Sequence, residues 1–109
     1  MTLAQETCAP CRSGGLPMPA EEAKTLSLSV PLWTLTDTRI ERNFKFKDFR
    51  EAVSFVNQVA DAANAQDHHP DIVISYNKVR LTLSTHKVGG LSRNDFILAS
   101  RIDELADQP

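Results

Sequence analysis

The chain has 109 residues, 41% of them hydrophobic and 24% charged, with a formal net charge of -2. That is the size of one domain with one core, and the balance excludes disordered and fibrous material. Mild acidity gives no long-range pull toward nucleic acid or an anionic membrane. No apolar run reaches transmembrane length and no secretion signal opens the chain, so the cytoplasm is the expected compartment.

Residues 1 to 18 read as a flexible arm, because Pro10, Gly14, Gly15 and Pro17 interrupt a stretch without apolar period. It carries Cys8 and Cys11 as a Cys-x-x-Cys pair. A second pair that would complete a four-thiolate zinc site is absent, and a thioredoxin-like site belongs between a strand and a helix. An incidental tail and a weak metal or redox role, shared between subunits, both remain open. The domain proper is expected over 19 to 109.

"PAEEAKTLSLSV" predicts a short helix with Pro19 at its first turn and Pro31 closing it. "LWTLTDTRIERNFKFK" predicts a hairpin turning at Thr36 to Thr38, with Ile40, Arg42, Phe44 and Phe46 on one side of its second strand. Arg39, Arg42, Lys45, Lys47 and Arg50 come close together, but Asp37, Glu41, Asp48 and Glu51 are interspersed, which describes a mixed solvated face. The period then changes to helical: Asp48 caps, Glu51 reaches back to it, and Phe49, Ala52, Val53, Val56, Val59, Ala60 and Ala63 form an apolar stripe. Pro70 forces His69 toward extended backbone, so this helix ends before His68.

After Pro70 a second hairpin is expected, turning at "YNKV", with Val79, Leu81, Leu83 and Thr85 facing opposite to Arg80, Thr82, Ser84 and His86. Tyr76 reads as core or sheet cover. Gly89 and Gly90 make a loop, and Ser92 caps a last helix with Asp95 at its third position. The fold class is α+β: helix, hairpin, helix, hairpin, helix, a four-stranded antiparallel sheet with helices on one face.

The three histidines of the chain are His68, His69 and His86. Imidazole exchanges protons near neutrality, so two or three in one cleft form an acid–base device without a cofactor. Adjacent rings on an extended segment point apart, and only a bend at the helix-to-strand junction, which Pro70 helps to fix, lets both address one ligand. Bland readings stand beside this one. The pair would also serve as a helix C-cap, His86 as a partner of a loop carbonyl, and Asp95 as an electrostatic cap rather than an orienting carboxylate. Three histidines and a carboxylate would suit zinc chemically, but neighbouring ligands on a proline-restricted segment converge poorly, and no metal is expected.

His68, His69 and Pro70, then Tyr76, "THKVGGLS" around His86, and Asp95 stand at spacings that resemble the pterin-4a-carbinolamine dehydratases. The similarity runs from about residue 20 to 105, through Trp33, "RIERNFKF", "FREAVSFVNQVADAA" and "DFILASRID". The resemblance implies the fold just derived, with subunits pairing through their sheets into dimers and further into tetramers. It implies dehydration of a 4a-hydroxytetrahydropterin to the quinonoid dihydropterin, in tetrahydrobiopterin recycling, with a small-molecule pterin as partner and neither cofactor nor direct nucleic-acid contact. Carried over, His68 and His86 are the proton-transfer pair, and His69 binds, orients and shares the acid–base work. Asp95 and Pro70 support them, and backbone near Thr85 bonds the pterin edge. The family usually has an ionisable residue where this chain has Asn64, with Gln66 and Asp67 close enough to compensate, and usually has Gly where Leu32 precedes Trp33. A non-catalytic partner-binding or coactivator-like role, or one associated with pterin or molybdenum cofactor, is the alternative.

Overall fold

A computed structural model describes residues 2–8 and 16–107. Cys11, Pro10, Gly14 and Gly15 lie outside the described residues. In chain order the elements are α1 (Ala20–Ser27), β1 (Thr34–Leu35), β2 (Ile40–Lys45), α2 (Phe49–Gln66), β3 (Asp71–Ser75), β4 (Lys78–Leu83) and α3 (Arg93–Ala106), preceded by a 3-10 turn at Leu3–Gln5. The four strands form one antiparallel sheet in the order β1-β2-β4-β3. Three helices pack against it, as the hydrophobic periods require.

The register explains which face is buried. Ile40 pairs with Leu83, Arg42 with Leu81 and Phe44 with Val79, so every second residue of β2 and β4 points at the helices. Leu81, Leu83 and Ile40 are wholly buried, as are Val59 of α2 and Phe96, Leu98 and Ile102 of α3. Aromatic rings fill the space under α2. Phe55 lies 4.8 Å from Phe44 and 5.0 Å from Phe46, ring centre to ring centre, and Trp33 meets Phe44 edge-on.

Three local expectations change. The buried stripe of α2 is Ala52, Phe55, Val59 and Ala63, rotated so that Phe55 enters the core while Phe49, on the flank of the first turn, is 52% exposed. Asp48 does cap the Glu51 N–H at 2.9 Å, but the Glu51 carboxylate reaches the Lys47 N–H rather than that of Asp48. Tyr76 is no core residue: it sits in the two-residue β3-β4 turn with φ 54 and 66% of its surface exposed. The pleat cannot bury a side chain that the turn carries past the end of the sheet.

One polar cluster crosses the core edge. Asp103 of α3 accepts from Trp33 Nε1 at 2.8 Å and pairs with Arg42, whose guanidinium lies 4.2 Å above the Phe44 ring. The Arg42 and Asp103 side chains are 15% and 22% exposed, so water compensates little if one is removed. Asp103→Ala is expected to cost about 2 kcal/mol of unfolding free energy in urea titration, through the stranded guanidinium and the unpaired indole N–H.

Candidate active site

The site begins where α2 stops. Asp67 adopts left-handed backbone (φ 50, ψ 41); its N–H reaches the Asn64 carbonyl at 3.3 Å and the His68 N–H the Ala63 carbonyl at 3.2 Å. These two bonds are the 6→1 and 5→2 pair of a Schellman cap, which reverses the chain within one residue. Asp is among the few non-glycine types that tolerate this conformation. The bend thus lies at Asp67, one residue before the histidines, and Pro70 leads directly into β3.

The bend sends the two rings to different supports. His68 turns inward, 11% exposed, and its Nε2 lies 2.6 Å from Oδ1 of Asp95. His69 stays outside, its Nε2–H donating to Oδ1 of Asn64 at 3.0 Å. Asn64 is therefore an orienting acceptor for His69. Gln66 accepts the Cys8 N–H at 2.8 Å.

Asp95 is wholly buried. Its Oδ2 accepts the Thr85 hydroxyl at 2.9 Å and the Ser92 N–H at 3.0 Å, while Thr85 and Ser92 hydroxyls lie 2.7 Å apart. The cap and orienting readings of Asp95 are both true of one carboxylate: one oxygen closes the capping box of α3, the other meets His68. The contact with Asp95 engages Nε2 and leaves Nδ1 as the other polar atom of the His68 ring.

His86 arrives from the opposite side. The paired part of β4 ends at Leu83, Thr85 bridges to Gly90, and His86 opens a 3-10 turn closed by Gly89 at φ 70. A side chain at Gly89 would be strained by that torsion. The Thr85 N–H donates to the Gly90 carbonyl at 2.7 Å, so Thr85 contributes a wall and a bond to Asp95 while its N–H is committed within the loop.

His68, His69, His86 and Thr85 line one cavity of about 360 Å³, with Cys8 and Gln66 also on its wall. That volume accommodates a bicyclic heterocycle. A more open depression of about 600 Å³ on the outer sheet face, between Arg39, Arg80, Glu41 and Asp71, shares Ser84 and His86. It lacks the other histidines, and size alone does not make it the site. Among the described residues no cluster of three or more His, Cys, Asp or Glu side chains is arranged to hold a metal ion, and no helix is long and apolar enough to cross a membrane.

Fold and sequence together place the chain in a known class of proteins. The family model for pterin 4 alpha carbinolamine dehydratase matches residues 16–105, and the chain belongs to that family. A protein of Halorhodospira halophila, provisionally named as such a dehydratase, is 48% identical over 107 residues, covering 96% of this chain and 98% of its own. One from Methylococcus capsulatus with the same provisional name is 44% identical, covering 96% and 94%. A crystal structure from Brucella melitensis, described as a transcriptional coactivator/pterin dehydratase, superposes with a TM-score of 0.78 at 33% identity, over 83% of this chain and 98% of that one. A pterin dehydratase-like protein identified as a RuBisCO assembly factor in the alpha-carboxysome shares the fold at 19% identity and a TM-score of 0.58, over 71% and 89%.

Asp95→Ala should lower unfolding free energy by about 3 kcal/mol, since one change removes a helix cap and takes a buried partner from His68 and the Thr85 hydroxyl. Asp95→Asn, which keeps the shape and part of the accepting capacity, should cost about half as much in the same urea titration.

Proposed function

We propose that the chain dehydrates a 4a-hydroxytetrahydropterin to the quinonoid dihydropterin by histidine acid–base catalysis, as a cytoplasmic hydro-lyase of pterin recycling. The observation that carries this reading is the convergence of His68, His69 and His86 on one pterin-sized cavity, with His68 braced by Asp95. The C4a–O bond breaks as an acid protonates the departing hydroxyl. The neighbouring ring nitrogen forms the double bond to C4a, and a base collects its proton. One proton is delivered, one is recovered, and water leaves. His68 and His86 hold those opposite roles, since an imidazole can either donate or accept a proton. His69, set by Asn64, orients the pterin, whose planar edge is read by backbone beside Thr85.

The protein works as a dimer or a pair of dimers. β3 is an edge strand, and Ile72, Val73 and Ile74 on it are 37%, 47% and 38% exposed, an apolar edge that a second sheet would cover. Native mass measurement at micromolar concentration is expected to give at least a dimer, and Val73→Lys to shift it toward monomer.

Stopped-flow measurement with freshly generated 4a-hydroxytetrahydropterin tests the reaction. His68→Ala and His86→Ala are each expected to lower kcat/KM by about 10²-fold or more. A protein that only binds partners, the role named in part for the Brucella relative, would show no acceleration over buffer and no effect of either change. His69→Ala and Asn64→Ala should act chiefly on KM, because both set the pose of the substrate rather than its protons.

A further inference from the structure

The segment Leu3–Cys8 is tied to the domain at four points, and the last of them is in the cavity. Leu3 is 8% exposed and joins the core. The Glu6 carboxylate receives Nε and a terminal nitrogen of Arg93, both at 2.7 Å, in the fork geometry that makes guanidinium–carboxylate pairs directional. The Glu6 backbone carbonyl accepts from Arg101 at 2.6 Å. The Cys8 N–H donates to Gln66, and its sulfur lies 3.7 Å from the Asn94 carbonyl.

The contacts of Glu6 with Arg93, and of Cys8 with Gln66 and Asn94, fall on the two helix ends that build the site, while Arg101 holds the segment two turns further along α3. Arg93 is the first residue of α3, whose first turn carries Asn94 and Asp95; Gln66 is the last residue of α2, just ahead of the bend that aims His68 and His69. The segment therefore spans the gap between both halves of the catalytic cluster, and Cys8 stands on the cavity wall with them.

We propose that Leu3–Cys8 is a wall of the substrate cavity, latched by Glu6 to α3, and that the Cys8 side chain sets how deeply the pterin can enter beside Gln66 and Asn94. This rests on the pterin reading of the cavity. It makes Cys8 a specificity-determining residue through its bulk and position.

The latch is electrostatic and half in water: the Arg93 side chain is 49% exposed. Salt should weaken it. Neutral-range pH should not. The hydrogen bonds from Arg93 hold the Glu6 carboxyl below its ordinary value of 4.5, so the anion and its pair are in place above that value and are lost only as pH falls below it. Between pH 6 and 8 the latch is therefore constant.

The test compares full-length wild type, Cys8→Trp, Cys8→Leu, Glu6→Gln and Glu6→Asp. It reads kcat and KM for the carbinolamine and the Kd for 7,8-dihydrobiopterin by fluorescence. Added bulk in Cys8→Trp is expected to raise KM and Kd about tenfold while kcat falls less than threefold, and the smaller Cys8→Leu to raise both about threefold. Glu6→Gln should raise KM about threefold and abolish its salt dependence, with Glu6→Asp recovering part of the loss. A merely structural role would lower melting temperature and kcat together with KM fixed. KM and Kd within twofold of wild type in both Cys8 variants overturn the inference and leave the dehydratase intact; a wild type that neither turns over nor binds the pterin overturns both.

Discussion

A wholly buried carboxylate with three hydrogen-bond donors around it organises the protein at its most consequential point. Asp95 is taken out of water, which is tolerable only because His68, Thr85 and the Ser92 N–H surround it. Each donor comes from a different piece of chain: the end of α2, the end of β4, and the loop into α3. Satisfying one side chain therefore forces three connections to meet. The ring of His68 is set by the same bonds that start α3, so its place on the cavity wall is inherited from the packing of the domain rather than added to it.

α3 carries a second partly buried carboxylate near its other end. Asp103 ties Trp33 and Arg42 to the helix and so fixes β1 and β2 on that side, much as Asp95 fixes β4 and α2 on the other. The sheet is held to α3 at both ends by charge-assisted bonds, with Phe96, Leu98 and Ile102 filling the middle. The loop bearing His86 is thereby placed opposite the α2 terminus bearing His68, and the cavity is the space between them. The chain that encloses that space belongs to the pterin carbinolamine dehydratase family.

The sequence makes the fold legible where its signals are local. Alternation in β4, the Asp48 and Ser92 caps and the stop before Pro70 each depend on neighbours within a turn, and each element forms where those signals lie. The rotation of α2 was not legible, because Phe49 and Phe55 differ only in which side of the stripe meets the aromatic cluster under the sheet. Asp67 gave no warning of a left-handed turn, since glycine is the usual marker there. In the site, the histidines and Asp95 are conspicuous by type and spacing. Asn64 against His69, and Cys8 against Gln66, are not: the first spans a chain reversal, the second most of the domain, and neither pair has a chemical signature of its own.

Because one carboxylate both starts a helix and braces the His68 ring, the two duties cannot drift apart over generations. Replacing His69 or His86 costs the scaffold little, whereas replacing His68 leaves a buried carboxylate short of a partner, and replacing the aspartate undoes the start of α3. Persistence of that acid, and of His68 with it, therefore records that the domain still folds, whereas persistence of His69 and His86 would record selection on the cavity they line.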